Sequence, residues 1–149
     1  MKLISSIILV LSSIAILLSG CRSQYKAISD INELEGDWNV IELEGKSLQS
    51  ENPLPFLSFD LNGKRLSGNA GCNRIIGSLD IDESNREMIS FPQVGSTRMA
   101  CPDMTVEDNL LKLLNSVKYF ESMSKTKPVT RISLCDEAKT PIIVLEKKK

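Results

Sequence analysis

Cysteines stand at positions 21, 72, 101 and 135 of this 149-residue chain, which has no histidine. Without histidine there is no Ser-His-Asp triad, no Cys-His pair and no histidine-based zinc site. Cys72, Cys101 and Cys135 have no C-x-x-C spacing, so no metal is expected. Residues 63 to 71 hold glycines but lack the Lys-Ser/Thr ending and the following helix of a phosphate-binding loop, and no cofactor is expected. Cys72 lies in GNAGCNRIIG (68 to 77) and Cys101 in STRMACP (96 to 102), each beside turn-forming residues where two backbone segments can approach. That context predicts a Cys72 to Cys101 disulfide, provided the α-carbons lie within about 7 Å. Closing the loop would remove denatured-state entropy worth about 3.6 kcal/mol. Cys135 sits in the apolar pattern RISLC and reads as a buried free thiol.

Two other sets of residues could do chemistry. Asp80, Asp82, Glu83 and Glu87 cluster as acid-base carboxylates can, but strand alternation puts Asp80 and Asp82 on the exposed face, where charges discourage edge-to-edge pairing. Asn73, Arg74, Thr97 and Arg98 form a candidate binding patch, since two arginines beside turn backbone can hold a carboxylate or phosphate bidentately. The alternative for each arginine is structural, pairing with a carboxylate or capping strand-end carbonyls.

The start of the chain bears on address. Met1-Lys2 is a short basic start, Leu3 to Leu18 is apolar except for serines, and Leu18-Ser19-Gly20-Cys21 follows. This order predicts an export signal over residues 1 to 20, too short in its apolar run for a membrane span. The tetrapeptide LSGC resembles the lipobox of bacterial lipoproteins, which implies removal of residues 1 to 20 and lipid, palmitate included, on Cys21. Several acyl chains anchor firmly where one binds only marginally. Arg22, in place of an aspartate, points to the outer membrane, facing the periplasm, and disulfides persist in an exported chain. Residues 21 to 29 form the lipidated cysteine and tether; the eight residues Arg22 to Ser29 reach at most about 28 Å.

Residues 30 to 149 are a usual length for a single domain. With Lys2 set aside, 17 basic residues face 19 acidic ones, leaving no field to draw nucleic acid. Lys147-Lys148-Lys149 reads as a frayed, solvated tail. Ser29 or Asp30 caps a brief helical turn through Leu34, ended by Gly36. Strands are expected over Trp38 to Leu43, around Leu57, Phe59 and Leu61, from Lys64 through Leu66, around Ile75 to Ile81, and over Met88 to Phe91. Lys118 to Met123, Thr130 to Cys135 and Ile142 to Glu146 complete the set. Asn62-Gly63 reads as a two-residue hairpin turn. Val106, Leu110, Leu113, Leu114 and Val117 recur at helical period, with Asp103 or Thr105 as cap. The expected fold is α+β, mainly β: a curled antiparallel sheet or small partial barrel with one covering amphipathic helix.

GNAGCNRIIGSLD at 68 to 80, STRMACP at 96 to 102, Glu107 with the leucine-rich helix, and the closing SLCDEAKTPIIVLEK together resemble the META domain family of HslJ-type heat-inducible bacterial lipoproteins. The resemblance spans residues 34 to 147 and departs at Met123 to Val129, which is longer and more polar than the usual hairpin. It implies a compact β-rich fold with one helix and an envelope or stress-associated role, and it brings no catalytic residues. The expected function is therefore a non-enzymatic, membrane-anchored binding protein for an envelope protein or peptide. A small-ligand carrier or sensor with a pocket in the curled sheet is the alternative. A thiol-redox role through Cys135 comes third. Oligomeric state, ligand and inducing condition are left open by the sequence.

Overall fold

The computed structural model describes residues 30–149; the expected leader (1 to 20), Cys21 and the tether to Ser29 lie outside the described residues. Asp30 caps a 3-10 turn, Ile31–Leu34, by accepting from Asn32 N at 3.0 Å. Gly36, at φ +92°, then turns the chain into the sheet, a backbone conformation that glycine adopts without strain. Ile31 and Leu34 are buried, and Leu34 O accepts the Trp38 indole N–H at 2.8 Å. The largest side chain of the core is thus both buried and satisfied.

Among the described residues eleven strands follow, in two sheets. They are β1 (Gly36–Leu43), β2 (Lys46–Ser47), β3 (Phe56–Asp60), β4 (Arg65–Asn69), β5 (Arg74–Ser78), β6 (Asp80–Ile81), β7 (Ile89–Ser90), β8 (Val94–Ser96), β9 (Tyr119–Ser122), β10 (Arg131–Cys135) and β11 (Pro141–Lys147). The main sheet runs β8-β5-β4-β3-β1-β11-β10-β9, with β2 paired to β1, and every pairing is antiparallel. It is curled but not closed into a barrel. A register irregularity between Val40 and Glu42 increases local twist and helps the curl. Chain 74 to 96 is one long ribbon whose inner half is β5 with β8 and whose outer half is β6 with β7. The outer half reaches β9 through a bridge from Met88 to Tyr119.

Period-2 alternation explains which side chains fill the curl. Leu57 and Phe59 on β3, Leu66 on β4 and Ile75 on β5 are buried, while Ser58, Ser67 and Ile76 turn outward or toward the rim. On β11 the alternation gives way, and Ile142, Ile143, Val144 and Leu145 are all buried, so this strand is covered on both faces. The helix α1 (Thr105–Leu114) packs against β8 and β11, adding Leu110, Leu113 and Leu114 to the same core. Met104 occupies its N-cap position without a side-chain bond, while Asp103 Oδ1 accepts from Thr105 N at 2.8 Å. The cap expected at Asp103 or Thr105 is therefore supplied by Asp103, one residue before the N-cap. Val117, placed on the helical stripe by its spacing, is buried just beyond the helix end.

Three expectations are corrected. The β3–β4 connection is not a two-residue turn at Asn62-Gly63: Asp60 pairs with Arg65, so residues 61 to 64 form the loop. Its positive φ falls on Lys64 (+50°), and Asp60 Oδ1 holds Gly63 N at 2.7 Å, bending the loop from its base. No strand is expected at β8, yet Val94, Gly95 and Ser96 pair with β5, and Ser96 opens the STRMACP stretch read as turn-like. Lys147 and Lys148 are docked rather than frayed. Lys147 belongs to β11, donates to Glu35 O and lies 4.4 Å from the Trp38 ring centroid, while Lys148 lies 4.3 Å from that of Phe56. Cation–π contact and a backbone acceptor hold these side chains where composition alone suggests solvent.

Candidate functional site

The corner between β4 and β5 is built from GNAGCN. Asn69 Oδ1 accepts from Gly71 N at 2.8 Å, Ala70 N donates to Asn73 O at 2.8 Å, and Gly71 takes φ +115°. Gly68 serves a different need, because a Cβ there would run into the Phe56 carbonyl and stand 3.1 Å from Leu57 Cα. One glycine allows the turn and the other allows the strands to approach. Cys72 and Cys101 form a disulfide across this corner with α-carbons 6.5 Å apart.

Asn73 is fully buried and ties the second segment to the first. Its Oδ1 accepts from Thr97 Oγ1 and from Met99 N, both at 2.8 Å, and its Nδ2 donates to Met99 O at 3.4 Å. Thr97 Oγ1 also accepts from Arg74 N at 3.1 Å. Beneath them lies Glu107, in the first turn of α1 and only 3% exposed. Its Oε2 accepts from Asn73 N at 3.1 Å and its Oε1 from Ser96 Oγ at 3.2 Å. Corner, edge strand and helix are thus joined through one amide and one carboxylate. Burial makes each of these bonds costly to lose.

The structure brings Asn73, Arg74 and Thr97 together, but not as one exposed patch. Asn73 and Thr97 spend their side chains on the corner itself. Arg74 and Arg98 are exposed, and among the described residues neither makes an ion pair or side-chain hydrogen bond. The structural alternative for the arginines, a carboxylate or carbonyl partner, is not what is found. Glu107 is absent from the site residues expected from sequence, although its signal is there. It precedes Leu110 by three and Leu114 by seven, so it stands as a carboxylate on the apolar stripe.

Beside the disulfide a surface cavity of about 290 Å³ is lined by Pro53, Pro55, Cys72, Cys101, Val106 and Glu107, among others. The interior of the curl is filled by apolar side chains, including Trp38, Phe59 and Phe120. Among the described residues no group of three His, Cys, Asp or Glu is placed to hold a metal ion. Asp82 is engaged in its own turn, its Oδ1 accepting from Ser84 N, Ser84 Oγ and Asn85 N, and these bonds, the hydroxyl's first, lower its pKa. Cys135 is buried, and burial raises its thiol pKa.

The META domain model matches residues 31–149. The chain belongs to the META domain family. This META domain is similar in fold to an NMR structure of a protein from Burkholderia xenovorans, at 20% identity and TM-score 0.61, covering 80% of this chain and 86% of that one. It is also similar to a DUF4847 family protein from Bacteroides vulgatus, at 12% identity and TM-score 0.56, covering 78% and 94% respectively. No curated protein matches the chain. At these identities the two structures bear on the fold of the META domain alone.

Proposed function

We propose that this META domain protein is a membrane-anchored envelope lipoprotein that binds a protein or peptide partner without catalysing a reaction. The observation that carries the reading is the sequence order: LSGC ends at Cys21, and the first described element begins at Ile31. A lipid on Cys21 would hold the domain close to the membrane. The Cys72 to Cys101 disulfide supports an oxidising compartment. The filled interior favours a surface-binding role over a carrier with its ligand inside the curl.

The test is palmitate labelling and membrane fractionation of the wild-type protein and Cys21→Ser, followed by crosslinking in intact cells. Acylation and membrane association that vanish in Cys21→Ser, with a crosslinked partner in the wild type, are expected. Equal membrane association of the two forms, or absence of label in the wild type, overturns the anchor; absence of any crosslinked partner overturns the binding role.

A further inference from the structure

The two ends of the main sheet are finished differently. On β9, Phe120 N donates to Glu87 O and Ile89 N to Lys118 O, each at 3.0 Å, so the ribbon carrying β7 covers that edge. On the other side β8 is the last strand among the described residues. Thr97 N donates to Arg74 O and Ser78 N to Gln93 O, which fixes the parity of β8: residues 93, 95 and 97 direct their backbone groups to β5. Alternate residues of an antiparallel strand face the other way. Val94, Ser96 and Arg98 therefore present backbone groups away from the sheet.

The strand β8 is short, three residues, but Val94-Gly95-Ser96 carries no lysine, proline or bulge to blunt its edge. The Asn73 amide holds Met99 and Thr97, extending the ordered edge beyond the strand itself. Gly95 has open space where a side chain would stand, and its partner on β5, Ile76, is 66% exposed. Arg74 lies two residues along β5 from Ile76 and shares its face, and Arg98 follows the end of β8. Both guanidinium groups lack partners among the described residues. We propose that the β8 edge is a strand-addition site for an extended peptide that carries an acidic and an apolar residue two positions apart, so that both fall on the face of Arg74 and Ile76. Backbone pairing supplies the register, Ile76 the apolar contact and Arg74 the charge on that face, with Arg98 adding positive charge past the end of the strand. The inference rests on the binding role above and names the chemistry of its partner.

The test titrates a synthetic peptide with glutamate and valine taking turns at every second position and threonine between them into the full-length protein in detergent, with the same peptide carrying lysine for glutamate as control. Binding is followed by fluorescence anisotropy and by amide hydrogen exchange. Expected are protection at Val94, Ser96 and Arg98, affinity that falls with salt, and a loss of about tenfold or more in Arg74→Glu with Arg98→Glu. Arg74→Gln with Arg98→Gln is the milder pair should the reversal fail to fold. Equal binding of the lysine peptide, protection elsewhere, unchanged affinity in a folded double variant, or no binding overturns the proposal. So does edge protection that grows with protein concentration alone, which would make a second copy the occupant. This titration is independent of acylation and of crosslinking in cells, so failure of the edge and failure of the anchored role are read separately.

Discussion

Asn73 grips the backbone of Met99 with both ends of its amide, accepting from Met99 N at 2.8 Å and donating to Met99 O at 3.4 Å. The same oxygen receives the Thr97 hydroxyl. Asn73→Ala removes these three bonds, with the weaker Nδ2 contacts to the Cys101 and Met104 sulfurs, from a fully buried position and is expected to cost about 2 to 3 kcal/mol, measured by urea denaturation. An unchanged midpoint would show that the corner is held without the amide.

Glu107 gives a sharper comparison, because its two oxygens have distinguishable partners. In Glu107→Gln the amide oxygen can accept from Asn73 N while its nitrogen donates to Ser96 Oγ, which can turn to accept. The expected loss is below about 1 kcal/mol for glutamine and about 2 to 3 kcal/mol for Glu107→Ala, which leaves the buried Asn73 N–H unpaired. Equal losses in the two variants would mean that charge, not hydrogen bonding, is what the site requires.

The glycines of the corner separate two kinds of constraint. Gly68→Ala drives a methyl group into the β3 backbone and is expected to cost about 1 to 3 kcal/mol, with amide shifts along β3 and β4. Gly71→Ala meets no neighbour but must hold φ +115°, at a cost of roughly 1 to 3 kcal/mol and with shifts confined to the corner. Heteronuclear NMR with denaturation midpoints separates them.

Much of this architecture is legible in the sequence because strand alternation and helical period are local. Leu57, Phe59, Leu66 and Ile75 announce their inward face, and Leu110, Leu113 and Leu114 theirs. The disulfide is legible from turn residues around both cysteines. Relations that depend on distant partners are not. Nothing near Lys147 in sequence indicates Trp38 beneath it, and nothing near Asn73 indicates that Met99 will arrive within reach. The short strand β8 carries a glycine and a serine, so its identity comes from pairing with β5 rather than from its own pattern.

Acid should loosen the turns. The pKa of Asp60 is lowered first by the Gly63 N–H and then by Arg65, that of Asp82 by Ser84, and that of Asp103 by the Thr105 N–H. A carboxyl group with a lowered folded pKa contributes stability above its unfolded value, about 3.9, and loses it as pH falls through the folded value. The denaturation midpoint is therefore expected to fall below about pH 4, and less steeply in Asp82→Asn. An identical acid limb in that variant would remove Asp82 from the account.

The cysteines make the last prediction, and its sign runs the other way. Reduction of Cys72 to Cys101 is expected to lower stability by about 3.6 kcal/mol without abolishing the fold, since Asn73 still links the two segments. Cys135, buried, should resist thiol reagents in the native state and react on unfolding. Burial raises its folded pKa above the unfolded thiol value of about 8.5, so its contribution is intact below that pH and is lost as pH rises through the folded value. Cys135→Ala should flatten this alkaline limb in pH-dependent denaturation. Rapid native labelling of Cys135, or an unchanged alkaline limb in the variant, would mean that the thiol reaches solvent and that burial is not what sets its chemistry.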